Sequence, residues 1–183
     1  MRALSYRDAL SEAQAQEMDR DPTVFVYGIG CPTRDKVFGS NAGLVERFGP
    51  ERCLDTPISE EAMTGFGFGA ALGGLRPIHV HIRIDFLLLA MNQIVNMLST
   101  YAYSTLGRIP VPFTIRAVVG RGWGQGYQHS KSLHSMFAHI PGLKVVAPVR
   151  ARDAKGLLTA AIRDDNPVLV IEHRWLYWAE DDV

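Results

Sequence analysis

The run SEEAMTGFGFGAALGGLRPIHVHIRI, residues 59–84, sets a helical pattern directly against a strand pattern. Its first half, Ser59 to Gly73, is too rich in small residues for an ordinary surface helix. Small side chains let backbones approach closely, so the stretch predicts a helix packed tightly against a neighbour. Its second half, Pro77 to Ile84, alternates, with His79, His81 and Arg83 on one side and Ile78, Val80, Ile82 and Ile84 on the other, as a strand does. The same alternation of elements extends upstream. Tyr6 to Met18 reads as an amphipathic helix with Ala9, Leu10, Ala13 and Glu17 at helical intervals and Ser5 and Asp8 available as a start signal. Asp21-Pro22 breaks it, Thr23 to Tyr27 is a buried strand ending in the turn Gly28-Ile29-Gly30, Ala42 to Phe48 is a helix, and Arg52 to Asp55 is a strand.

Downstream, Asp85 to Ser104 predicts a long, mostly buried helix and Val111 to Val119 a strand, followed by a glycine-rich loop from Gly120 to Gly126. A helix over Ser132 to His139, a strand over Leu143 to Ala147, a helix over Asp153 to Arg163 and a strand over Val168 to Glu172 complete the pattern, and the acidic Glu180 to Asp182 reads as a frayed tail. Strands alternating with helices across short Gly/Pro turns give an α/β fold, a three-layer α/β/α domain with a largely parallel sheet. Ligands of such folds bind outside the carboxyl ends of the strands.

The 183 residues suit one domain with its own core. Nineteen Lys+Arg balance nineteen Asp+Glu, so the electrostatic footprint of a nucleic-acid or anionic-membrane binder is missing. Cys31 and Cys53 form no CxxC pair, which argues against a disulfide framework and for a reducing, cytoplasmic setting. Charges interrupt Met1 to Asp21 too often for a signal peptide, and the apolar stretch around Phe86 to Met91 is far short of the ~20 residues of a membrane span.

Candidate chemistry gathers at the ends of the predicted strands. Glu60 opens the glycine-rich helix, where it either favours the positive helix end beside a capping Ser59 or aims a carboxylate at a ligand, shifting tautomers by a hydrogen bond to a ring nitrogen. Phe86 either stacks on a flat heterocycle or is plain core. His129, after the glycine loop, is an acid, a base or a donor near neutral pH, or merely solvated. The loop's glycines fall at every second position, so it is neither a dinucleotide fingerprint nor a P-loop. His79 and His81 share a strand face as metal ligands do, yet they lack a third ligand and Arg83 continues the face. No Ser/His/Asp triad assembles, since Ser59 and Ser130 lack the elbow sequence.

Several segments together resemble one family. Asp55-Thr56-Pro57-Ile58-Ser59-Glu60, Gly69-Ala70-Ala71, Gly74-Leu75-Arg76-Pro77-Ile78, Gln128-His129-Ser130, Ala138 to Val146, Asp153 to Leu158 and Ala161 to Val168 occur in the order of the beta subunits of thiamine-diphosphate-dependent 2-oxo acid dehydrogenases, the pyruvate, branched-chain and acetoin type. The resemblance runs from about residue 23 to 172, behind an N-terminal helix over about 1–21. It covers the pyrimidine-binding domain shared with transketolase, and it implies one such domain over 1–183 without the family's carboxyl-terminal domain. It implies that Glu60 hydrogen-bonds the aminopyrimidine and favours the tautomer that activates the thiazolium carbon, that Phe86 stacks on the pyrimidine with Ile82 beside it, and that His129 stands near the reaction centre. Ala161, Ile162, Asp164 and Asn166 match a segment that in some relatives binds structural potassium.

The family's Gly-Asp-Gly motif for the diphosphate and Mg²⁺ does not occur in this sequence, so the resemblance implies a diphosphate-binding alpha-type partner, an alpha2beta2-like assembly or self-association, and a lipoyl acyl carrier as acceptor. The length implies a truncated chain, a split subunit or a minimal relative. Glu61, Lys131 and His134 depart from the family pattern and, with His81 and Arg83, point to a more anionic substrate or to surface drift. The implied activity is oxidative decarboxylation of a 2-oxo acid. The alternatives are a transketolase-like or non-oxidative decarboxylase small subunit and a non-catalytic assembly module.

Overall fold

The computed structural model describes residues 2–33 and 35–183. In chain order the elements are β1 (Ala3–Ser5), α1 (Tyr6–Arg20), β2 (Val24–Tyr27), α2 (Leu44–Phe48), β3 (Cys53–Leu54), α3 (Glu60–Leu72), β4 (Arg76–His81), α4 (Ile84–Leu87), α5 (Ser99–Ser104), β5 (Thr114–Val119), α6 (His134–Ala138), β6 (Lys144–Val146), α7 (Ala151–Arg163), β7 (Val168–His173) and β8 (Glu180–Asp182). Six strands form one sheet in the order β3-β2-β4-β5-β7-β6, and every neighbouring pair is parallel, as the alternation of elements predicts.

Alternating side chains divide the core between the two faces. Val24, Val26, Ile78, Val80, Val118, Val168 and Val170 pack under α1 and α7, against Ala9, Leu10, Ala13, Ala154 and Leu158. Phe25, Tyr27, Ile115, Ala117, Val119, Leu169 and Ile171 point the other way, onto Phe68 and Ala71 of α3, Phe137 of α6, and the segment from Ile84 to Leu98. Because both faces are covered, the strands read as nearly continuous apolar runs.

Close packing of α3 has a specific cause. The Tyr27 ring passes beneath it, donating its hydroxyl to the Met63 carbonyl at 3.0 Å. A Cβ on Gly67 would stand 2.0 Å from that hydroxyl oxygen and 2.7 Å from the Phe113 ring, so only glycine fits at this turn of the helix.

Two expectations are corrected. Asp85 to Ser104 is not one regular, mostly buried helix: α4 passes into a 3₁₀ turn at Leu88–Ala90, a π-helical stretch at Gln93–Leu98 and then α5. At that last junction the hydroxyls of Ser99 and Thr100 donate to the carbonyls of Val95 and Asn96, both at 2.9 Å, a competition known to distort helices. Burial follows a single stripe, Leu87, Ala90, Ile94 and Leu98, while Leu89 and Tyr103 face solvent. The acidic tail is not frayed either, since β8 pairs antiparallel with β1, Ala3 opposite Asp182 and Ser5 opposite Glu180.

The sequence also hid a buried ion pair. Arg116 of β5, fully buried, donates Nε and Nη2 to the Glu172 carboxylate at 2.5 and 2.9 Å. Gln14, Asn41 and Ser40 accept its other protons, and the Tyr177 hydroxyl donates to Glu172 at 2.6 Å.

Candidate functional site

The chain leaves β2 toward β3 at the sheet edge and leaves β4 toward β5 in the opposite direction, so the carboxyl ends of β2 and β4 diverge. That divergence is where a parallel α/β sheet opens a crevice. A cavity of about 370 Å³ lies there, with Pro57, Met63, Ile82 and Phe86 among its apolar walls and Glu60, His79, His81, Arg83, Gln125 and His129 among its polar members.

Local bonds fix the positions of these groups. The Asp55 carboxylate accepts from the backbone N–H of Gly30 at 2.7 Å and of Thr56 at 2.9 Å, tying the turn after β2 to the loop that leads into α3. Glu60 is then the first residue of α3, in a helical turn whose N–H groups favour negative charge. Ser59 occupies the cap position, but its side chain makes no capping bond, so the capping expected of it is corrected. Thr64 donates its hydroxyl back to the Glu60 carbonyl at 2.7 Å.

Behind Glu60 lies a neutral imidazole pair. His79 stacks on Tyr27 with ring centres 4.3 Å apart and planes 10° from parallel. His81 Nε2 stands 3.1 Å from His79 Nδ1, and the Thr64 hydroxyl oxygen is 3.4 Å from the same atom. Burial pushes the proton affinity of His81 down to about 3 and that of His79 well below the usual histidine value, with His81 adding to the effect on His79. Both rings therefore stay uncharged at neutral pH and act as hydrogen-bonding wall groups.

Across the cavity, His129 meets Phe86 edge to face with ring centres 5.1 Å apart. Its Nδ1 is buried and has no hydrogen-bond partner among the described residues. A buried polar atom without a partner is costly. Gln125 of the glycine loop and His129 just after it both line the cavity.

Glu60, Ile82, Phe86 and His129, picked out at widely separated positions, line one cavity. The potassium segment lies elsewhere, at the amino edge of the sheet before β7. There the Ile162 and Asp164 carbonyls both accept from Arg76 Nη1 at 3.1 Å, and the Asp164 side chain accepts from Asn166, while the Ala161 carbonyl accepts from the Asp164 N–H. Two of those three carbonyl oxygens thus already face a cation of the chain's own. Among the described residues no group of three or more His, Cys, Asp or Glu side chains gathers as a metal site would. His79, considered only as a metal ligand, His81, considered as a metal ligand and as a sign of a more anionic substrate, and Met63 are cavity residues to which sequence reasoning gave no place in the cavity. The alternation of His79 and His81 marked their shared face, whereas nothing in the pattern marked Met63.

With mostly apolar walls and the Glu60 carboxylate and several imidazoles among its lining, the cavity has the character of a small-molecule pocket. Residues 2–178 match the family described as transketolase, pyrimidine binding domain. The chain is 44% identical over 177 residues to the 2-oxoisovalerate dehydrogenase subunit beta of Bacillus subtilis (strain 168), covering 97% of this chain and 54% of the relative. It is 43% identical over 174 residues to the mitochondrial pyruvate dehydrogenase E1 component subunit beta of Caenorhabditis elegans, covering 95% and 49%. The chain spans about half the length of these curated relatives. A solved structure described as a split gene transketolase, inactive beta4 tetramer, superimposes with a TM-score of 0.75 at 20% identity, over 93% of this chain and 51% of that one, which is a likeness of fold.

Proposed function

Because the chain belongs to the transketolase pyrimidine-binding domain family, we propose that its cavity takes the aminopyrimidine of thiamine diphosphate and that the chain acts as the beta-type component of a thiamine-diphosphate-dependent 2-oxo acid dehydrogenase. The observation that carries this reading is the convergence of Glu60, Ile82, Phe86 and His129 on one cavity at the divergence of β2 and β4. When bound, the cofactor supplies the carbon nucleophile and the electron sink that decarboxylation of a 2-oxo acid requires.

The chain's own residues supply protons and position. Glu60 hydrogen-bonds a pyrimidine nitrogen and thereby favours the ring tautomer that can take up a proton. Phe86 and Ile82 hold the ring faces, and Pro57 and Met63 keep water from them. His129, on the cavity wall beside Phe86, is the imidazole that holds or releases a proton on the substrate side. The diphosphate and Mg²⁺ fall to an alpha-type partner chain, and a lipoyl carrier takes the acyl group.

The test is co-expression with an alpha-type subunit and calorimetric titration with thiamine diphosphate and Mg²⁺. Binding should require both chains, and Glu60→Gln should slow proton exchange at the thiazolium carbon by about 100-fold or more while the assembly persists. Exchange that is unchanged in Glu60→Gln removes the role from Glu60, and association without cofactor binding leaves an assembly module in place of an enzyme.

A further inference from the structure

We propose that Arg83, which lines this cavity, and Arg174, which shares its aromatic neighbours, form an anion subsite, and that the 2-oxo acid decarboxylated there carries a second, distal carboxylate. The proposal rests on the reading of the cavity given above and names its substrate class.

Arg83 follows β4 directly, lines the cavity and is only 3% exposed. Its Nη1 donates to the Gly120 carbonyl at 3.5 Å and its Nη2 to Gln125, while Nε is buried with no partner among the described residues. The guanidinium of Arg174, just after β7, is sandwiched between Phe38 at 3.9 Å and Trp123 at 4.0 Å, and its Nε is likewise buried and unpartnered. Arg83 stands 5.4 Å from the Phe38 ring centre and 5.7 Å from that of Trp123, so the two guanidiniums share one aromatic cleft.

Among the described residues neither arginine has a carboxylate within ion-pair distance. Asp85, the acidic group whose charge reaches Arg83, accepts instead from the backbone N–H and the Nζ of Lys131 at 3.3 and 3.4 Å. Burial first and Arg174 second lower the proton affinity of Arg83, so the two like charges are close enough to repel. Buried guanidiniums are ordinarily paired, and their planar donors match a carboxylate. An anion bound beside them would relieve the repulsion.

The carboxylate held here is not the one that leaves. Pairing the scissile carboxylate with two guanidiniums would stabilise the ground state more than the transition state, in which that charge disperses into CO₂. The arginines therefore suit a charge that the substrate keeps.

Trp123 stacks on Arg174 and lies 4.8 Å from Trp175, so indole fluorescence reports occupancy without catalysis. The full chain, alone and with its partner, thiamine diphosphate and Mg²⁺, is titrated with 2-oxoglutarate and with 2-oxopentanoate, which has the same carbon chain and a neutral end. Expected is a saturable response to the diacid alone, weakened at least about tenfold by Arg83→Met and by Arg174→Met and partly restored by Arg83→Lys. Equal responses of the wild-type chain to both acids overturn the proposal whatever the variants do, as does a holo-complex whose kcat/KM favours the neutral acid. If the diacid binds selectively while thiazolium proton exchange ignores Glu60, the anion subsite stands and the cofactor reading fails.

Discussion

Alanine at Gly67 and alanine at Gly69 should move stability in opposite directions, although the two glycines lie on the same helix. At Gly69 a Cβ meets no heavy atom within 4 Å, so the substitution gains the helical preference of alanine over glycine, up to ~1 kcal/mol. At Gly67 the methyl would stand 2.0 Å from the Tyr27 hydroxyl and 2.7 Å from the Phe113 ring, and both rings are fully buried with nowhere to swing. Overpacking of this kind costs about 1–3 kcal/mol. Displacing Tyr27 also breaks its 3.0 Å bond to Met63, worth about 1 kcal/mol. Against the same propensity gain, Gly67→Ala should lose about 1–3 kcal/mol, placing the two variants about 2–4 kcal/mol apart. In urea, with a slope of about 2 kcal/mol per molar, the unfolding midpoints should separate by 1 M or more, roughly. Coincident midpoints, or a Gly67 variant at or above the wild type, would refute the steric account of α3. Because Tyr27 stacks on His79, the Gly67 variant should also disturb the cavity wall, whereas the Gly69 variant should not.

The imidazole pair makes stability depend on pH. Buried His79 and His81 take up protons less readily than in the unfolded chain, where histidine titrates near 6.5, so their stabilisation is full above that pH and is lost as the pH falls toward about 3. Half-buried His173 contributes with the same sign. Between pH 7 and 5, before most carboxylates titrate, each of the pair should account for about 2 kcal/mol of lost stability, and a flat urea midpoint across that range would contradict their burial as neutral rings. Glu172→Gln should leave the Arg116 charge uncompensated and cost about 3–5 kcal/mol, read as a fall in Tm of about 10 °C; a shift of about one degree would mean that water reaches the pair. Ser5 caps α1 by accepting from the Asp8 N–H at 3.1 Å, so Ser5→Ala should cost about 1 kcal/mol and Ser5→Asp much less, measured by urea unfolding.

The central sheet was legible because its strands are covered on both faces and so carry nearly unbroken apolar runs, Val24 to Tyr27 and Val168 to Ile171 among them. β1 and β8 were not, since three residues each, one set wholly acidic, carry no apolar period to read. Arg116 and Glu172 sit within runs that read as strand, yet charged residues are expected outside, and only the fold brings the two together from adjacent strands. Glu60, Ile82, Phe86 and His129 were picked out through local pattern and family resemblance, and the geometry unites them. Arg174 and Trp123 escaped notice because they follow β7 and β5, which are neighbours in the sheet though separated in sequence by a helix, a strand and a second helix.

The ribbon of β1 and β8 sets the order in which the molecule closes and opens. Its pairing encloses nearly the whole chain in one loop, and strands of three residues cannot hold together alone, so the ribbon gains stability only after α1 and α7 have docked on the sheet. It should therefore be the last clasp to form and the first to release. The backbone protons that Arg2 and Val183 exchange across it should trade with solvent far sooner than those of β5, giving a direct gauge of local opening in the otherwise folded chain.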